Sequence, residues 1–155
     1  MAQAETIQDE PVSVQDNPIL QGNFAPVEGE MTVHDLAVEG TIPSALNGAL
    51  LRDGPNPIDP GPGHHWFMGD GMVHGIKISD GRATAYRNRW VRTPQVESLK
   101  GFPAGSISPR QPLQQGSGSV NVIGHGGRIL ALPEVGLPWE LDADLNTIGQ
   151  YDFDG

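Results

Sequence analysis

The chain has 155 residues, no cysteine and a formal net charge of −10. That is a one-domain length with room for a modest core, and the missing thiols exclude a disulfide framework and any cysteine-ligated zinc or iron–sulfur site. No apolar run approaches the roughly 18 residues that span a bilayer, and MAQAETIQDEPVSVQ has neither basic residues nor a hydrophobic block, so no secretory signal or Arg-rich transit peptide is read there; a soluble, cytoplasmic protein is the expectation.

In chain order, residues 1–21 are polar, acidic and aperiodic, and read as a flexible arm. The first basic residue is Arg52, and eight acidic residues precede it. An acidic leading third argues against nucleic acid, which needs Lys and Arg to neutralise phosphates. From Asn23 the texture changes. VHDLAVEG (33–40) alternates apolar and polar residues, TIPSALNG (41–48) gives a turn or single helical turn, and GALLRDGPNP (48–57) reads as a buried strand stopped by Gly54 and Pro55. IDPGPGHH is a proline-rich loop.

MVHGIKI (72–78), SDG (79–81) and RATAYRNRWVRT (82–93) predict two strands around an Asp-Gly turn, with Met72, His74, Ile76 and Ile78 on one face. QVESLKGFPAGSISPRQPLQQGSGS (95–119) reads as a long loop of low hydrophobicity, a kind that is usually functional or disordered. A second hairpin follows in SVNVIG (119–124), HGG (125–127) and RILALPE (128–134), and TIGQYDFDG (147–155) adds one strand. No segment predicts a helix longer than two turns. The 21 glycines and 14 prolines punctuate short apolar runs, so the chain reads as all-β; a sandwich, a barrel or part of a propeller would each fit.

Candidate chemistry starts with GHHWFMGDGMVHG (63–75), which holds His64, His65 and His74. Adjacent residues on a strand point to opposite faces, so His64 and His65 cannot share an ion. The spacing from His65 to His74 matches no common metal motif. His74 falls on an apolar strand face, where a hydrogen-bonded core histidine is expected. GDG (69–71) lacks the later ligands of a calcium loop, and GSGS (116–119) lacks the helix and Lys of a phosphate cradle. Residues 82–110 carry Arg82, Arg87, Arg89, Arg92, Lys100 and Arg110 against Glu97. They read either as solvated strand and loop charges or as a surface that meets anionic lipid headgroups. Spacing alone defines no site.

The ordered combination says more. NFAPVEGE (23–30), LAVEGTIPSALNGALLRDGPNP (36–57), GHHWFMGDGMVH (63–74), YRNRWVRT (86–93) and SVNVIGHGGRILALPEVGLPWELDADLNTIGQYDF (119–153) strongly resemble the N-terminal part of the carotenoid cleavage oxygenase family. That family includes carotenoid and apocarotenoid dioxygenases, stilbene-cleaving enzymes and the retinoid isomerase. The resemblance implies a seven-bladed β-propeller with an iron(II) ion on its axis, held by four histidines from separate blades. It implies an apolar tunnel, and dioxygen-dependent cleavage of a conjugated carbon–carbon double bond to two carbonyl products.

In the family the first iron-binding histidine lies in an Ala-His-Pro motif after the strand matched by TIGQYDF. The four ligands are therefore expected beyond Gly155. At about 40–50 residues per blade, the chain supplies about two to three blades. It is expected to be an N-terminal fragment: arm 1–21, propeller section 22–155, binding no iron and inactive alone. A free-standing section would expose unpaired strand edges and half a core.

One functional residue follows from the resemblance. The glutamate that accepts a ring N–H from an iron ligand matches Glu134, in LALPEVG. The 95–112 loop, with Leu99, Lys100 and Phe102, matches a region near the tunnel mouth and a membrane-facing patch, which implies peripheral membrane contact there. Met68 departs from the Asp usual in relatives, while Gly69 and Gly71 are kept. The competing expectation is a non-catalytic β-rich binding module or a truncated remnant.

Overall fold

The computed structural model describes residue 13 and residues 16–103 and 116–154. Eight strands form two four-stranded antiparallel sheets. Sheet one contains β1 (Met31–His34), β2 (Gly48–Pro55), β3 (Gly71–Ser79) and β4 (Arg82–Trp90), in the order β1-β4-β3-β2. Sheet two is a meander of β5 (Asn121–His125), β6 (Arg128–Leu132), β7 (Trp139–Leu141) and β8 (Thr147–Gln150). The all-β expectation holds, and both hairpins stand where the turn signals put them.

The turns have the backbone their residues allow. Asp80 and Gly81 both take positive φ (49° and 74°), as do Gly126 and Gly127 (57° and 78°). Two consecutive left-handed residues make the tight turn whose twist suits a hairpin. Between β7 and β8, the Asp142 carboxylate accepts from the amides of Asp144 and Asn146, each at 2.8 Å, and from Asn146 Nδ2 at 2.9 Å. That turn drives the buried Leu145 into φ 64° and onto the bare backbone of Gly75.

Consecutive residues of β3 face opposite sides, and both sides are covered at its start. Val73 packs between the sheets with Val91, Ala131, Trp139, Leu141 and Leu145. Met72 packs on the outer face with Trp90, Val96, Val27, Ile58 and Phe102. His74, Ile76 and Ile78 continue the Met72 face, half-buried.

Three expectations are corrected. GALLRDGPNP does form a strand, but β2 is a sheet edge and Leu50 is 64% exposed. The loop expected from residue 95 opens on a two-turn helix, α1 (Pro94–Lys100). Thr93 Oγ1 caps it at Val96 N (3.2 Å), and Gly101 closes it at φ 68°. Within the expected arm, Asn17 is buried and ties down the turn Pro18–Leu20: its Nδ2 donates to the His64 carbonyl (3.1 Å) and its Oδ1 accepts from Ile19 N (3.2 Å). Residues 1–12 of that arm, and 104–112 of the expected membrane-facing loop, lie outside the described residues.

From Asn17 to Glu30 the chain lies along sheet one, held by side chains that imitate backbone. Asn56 donates to the Val27 carbonyl (2.9 Å) and accepts from its amide (2.7 Å). Asn88, wholly buried, accepts from Met31 N (2.6 Å) and donates to the Gly29 carbonyl (3.0 Å).

Candidate functional site

Glu134 stands in the bend that follows β6, after Pro133 has ended the strand by removing a backbone donor. Its carboxylate is exposed and makes no hydrogen bond or ion pair within the described residues. The bend beneath it is firmly seated. Gly116 lies against it so closely that a Cβ there would collide with both Pro133 and the Val135 carbonyl. The fully buried Trp139 donates its indole N–H to the Gly116 carbonyl at 2.8 Å, and Val120 N donates to the Leu132 carbonyl at 3.0 Å. A free carboxylate, an acceptor only, is thus presented from a rigid mount.

A second feature is a cavity of about 360 Å³ on the outer face of sheet one. Ile19, Leu20, Phe24, Val27, Trp66, Met68 and Met72 give it apolar walls, and Arg52, His64 and His74 add polar groups. Phe24 and Trp66 meet edge to face, 4.7 Å between centroids. A larger apolar groove of about 700 Å³ is lined by Leu51 and Gly75 of sheet one and by Ile129 and Leu145.

The three histidines do not converge on one point. His74 Nδ1 shares a 2.8 Å hydrogen bond with the Tyr86 hydroxyl. Burial, aided by the Arg52 charge, lowers the pKa of His74 below its usual 6.5, so the ring is neutral at pH 7. Burial likewise raises Tyr86 above 10. This is the hydrogen-bonded half-core histidine expected from its strand face. His65 instead turns outward, its ring accepting from Phe67 N at 3.3 Å, and His64 lines the cavity. Among the described residues, no group of three His, Cys, Asp or Glu side chains could hold a metal ion.

Asp70 of the GDG turn is a structural tie, accepting from Ile58 N and Gln95 Nε2, both at 3.1 Å. Met68 is 63% exposed at the cavity wall. The described basic residues of 82–110 are partnered, and Arg110 lies outside the described residues. Arg82 meets Asp35 (3.6 Å), Arg87 meets Asp144, and Arg89 and Arg92 flank Glu30 (3.9 and 3.5 Å). Lys100 sits 3.9 Å over the Trp90 ring and Arg92 3.8 Å over Phe102. Phe102 therefore packs inward; only Leu99 of the apolar pair in the expected membrane patch faces out, at 45% exposed.

Sequence reasoning missed Asp53. Paired in register with Val73, its carboxyl shares the face turned to sheet two. Its Oδ1 accepts from Gly54 N (2.8 Å), while its buried Oδ2 has no partner among the described residues. Burial pushes its pKa up to about 8 despite that one hydrogen bond. Only its place beside Arg52 in an apolar strand hinted at this.

Two antiparallel sheets, joined at closely approaching glycines and presenting a seated carboxylate, define an all-β scaffold of one construction. Comparison with known proteins then specifies it. Residues 24–155 match the family described as retinal pigment epithelial membrane protein (RPE65). The chain is 49% identical over 144 residues to a carotenoid cleavage oxygenase of Mycobacterium tuberculosis, covering 90% of this chain and 28% of that one. It is 39% identical over 166 aligned residues to carotenoid 9,10(9′,10′)-cleavage dioxygenase 1 of Arabidopsis thaliana, covering 87% and 31%. The crystal structure of Pseudomonas brassicacearum lignostilbene dioxygenase superposes with a TM-score of 0.71 at 29% identity, over 89% of this chain and 31% of that one. The chain belongs to this family of carotenoid cleavage oxygenases and their relatives, and spans less than a third of the length of these three.

Proposed function

We propose that the chain is the N-terminal section of an iron(II)-dependent dioxygenase that splits a conjugated carbon–carbon double bond of a carotenoid, apocarotenoid or stilbene-type substrate. The observation that carries this reading is the 49% identity to a carotenoid cleavage oxygenase across nine-tenths of the chain. The names of the other relatives, a 9,10(9′,10′)-cleavage dioxygenase and a lignostilbene dioxygenase, support the substrate range. Each four-stranded antiparallel sheet has the make-up of one propeller blade, so the two sheets serve as the first blades of a seven-bladed propeller. Iron, when bound by histidines of the remaining protein, supplies activation of dioxygen.

In this reading Glu134 accepts the free ring N–H of one iron-bound histidine, which fixes the ring's tautomer and orientation and raises its basicity. Its exposure and its lack of a partner among the described residues support that role. In this reading the iron ligands belong to the remaining protein, and the 155-residue chain alone is inactive. Leu99, outward on α1, supports peripheral membrane contact, where an apolar polyene would partition, and we place the protein in the cytoplasm beside such a surface.

The test is a full-length chimera that joins residues 1–155 to the remaining sequence of the Mycobacterium tuberculosis relative. Reconstituted with Fe(II), it is expected to bleach a carotenoid, apocarotenoid or hydroxystilbene in air and yield two carbonyl products by chromatography and mass spectrometry. The isolated chain is expected to do neither. Turnover by the isolated chain, or a folded, iron-loaded chimera inert toward all three substrates, would overturn the reading.

A further inference from the structure

The described chain enters sheet two through Gly116–Ser119, and this short stretch touches three things at once. Gly71, at the start of β3, donates its amide to the Ser117 carbonyl (3.2 Å) and accepts at its own carbonyl from Val91 N (2.8 Å). A Cβ on Gly71 would lie 2.5 Å from Ser117 O and collide with Gly118 O, so two backbones meet there with no side chain between them. Gly118, at φ 60°, is wedged between Val91 and the ring of Trp139. Gly116 in turn is pressed against the residues on either side of Glu134. The Ser117 and Ser119 hydroxyls share a 2.6 Å hydrogen bond across the stretch. Sheet one thus reaches the Glu134 bend through an unbroken line of backbone contacts, and the indole N–H of Trp139 pins the carbonyl in the middle of that line.

We propose that Trp139 is a positioning residue for Glu134, acting through Gly116, and that the seam Gly71–Gly118–Gly116 transmits the place of sheet one to that carboxylate. The inference rests on the metal-orienting role proposed for Glu134. It assigns the GSGS segment to geometry: each glycine lies where a side chain would force the bend away from its seat.

The experiment uses the full-length chimera and reads Fe(II) affinity by competition with a chelator, alongside thermal stability, for Glu134→Gln, Trp139→Phe and the double variant. Phe keeps the buried ring and removes the N–H. Loss of an outer carboxylate partner lowers metal affinity by about 10- to 100-fold, and Trp139→Phe is expected to fall near the low end, about tenfold. In the Glu134→Gln background it should cause no further loss, because the group it positions is already gone. Leu141→Ala, which damages the same core away from Gly116, should lower the melting temperature and leave Fe(II) affinity unchanged. Should Trp139→Phe fail to fold, the milder Ser119→Ala carries the same expectation of a loss that vanishes when Glu134 is Gln.

Losses that multiply independently, or a Trp139→Phe chimera that holds Fe(II) like its parent while Glu134→Gln does not, overturn the positioning role alone. Unchanged affinity in Glu134→Gln overturns the role of Glu134 itself, and the inference with it.

Discussion

Asp53 carries a large conditional cost. Burial lifts its pKa from 3.8 to about 8, and the Gly54 N–H offsets only part of that rise. The folded state therefore holds its proton more tightly than the unfolded chain does between these two values. Stability contributed by the protonated carboxyl is complete below the unfolded value and is lost as pH rises through the folded one. Each unit is worth about 1.4 kcal/mol, so at pH 7 the loss is roughly 4 kcal/mol relative to pH 4. Against a total stability of about 5–15 kcal/mol that is a large share.

Asp53→Asn keeps an Oδ1 acceptor for Gly54 N and removes the charge. It should raise the melting temperature at pH 8 by about 10 °C or more, at 2–4 °C per kcal/mol for a chain of this size, and by only about 2–4 °C at pH 4.5, where about 1 kcal/mol is lost. The assay is thermal unfolding of parent and variant from pH 4.5 to 8.5. His74 works the other way: its lowered pKa makes the folded state lose stability as pH falls below about 6.5. The difference between the two curves, rather than either alone, is the quantity to read. Parallel curves across the range would show that the carboxyl ionises freely when folded, and the reasoning from burial would fail.

Three further outcomes are expected. Thr93→Ala removes the cap on α1 and should cost about 1 kcal/mol in urea unfolding, whereas Thr93→Ser should cost little; equal losses for both would mean that the hydroxyl is not the cap. Asn56→Ala cuts both bonds to Val27, so amide exchange over residues 17–27 should quicken by about tenfold or more, with β3 and β4 protected as before. Gly71→Ala should destabilise by about 3 kcal/mol or more, since its methyl meets backbone carbonyls that cannot move aside; a loss under about 1 kcal/mol would show that the seam is loose.

The two hairpins were legible because their signals are local. Asp-Gly and Gly-Gly turns between alternating strands act over a few residues, and Asp80–Gly81 and Gly126–Gly127 form them. The start and stop of α1 were also written, in Thr93–Pro94 and Lys100–Gly101, but the surrounding polar composition masked them. What was hidden depends on distant partners. Leu50 looks like a core residue until β2 is found at an edge, and Asn17 looks like arm until His64 supplies its acceptor 47 residues on. Phe102 reads as a membrane anchor until Arg92 and Trp90 enclose it. Glu134 is a candidate through the family resemblance and not through any spacing, since a lone glutamate after a strand carries no signature. GSGS could have been recognised as a site of close backbone approach, because no helix follows it to justify a phosphate cradle.

The pairing of β1 with β4 also sets an order of events during synthesis. Met31 finds its partner Asn88 57 residues later, so β1 waits until β4 has emerged. Closing so long a loop is slow relative to the local hairpins. The β3–β4 hairpin can form first and then recruit both edges: β2 from just upstream, and residues 17–34 through Asn56 and Asn88. Sheet two is all neighbours and folds as it is made. A nascent chain of this protein therefore spends its vulnerable interval with the outer edge of β4 unpaired and the Met72–Trp90 cluster lacking Val27.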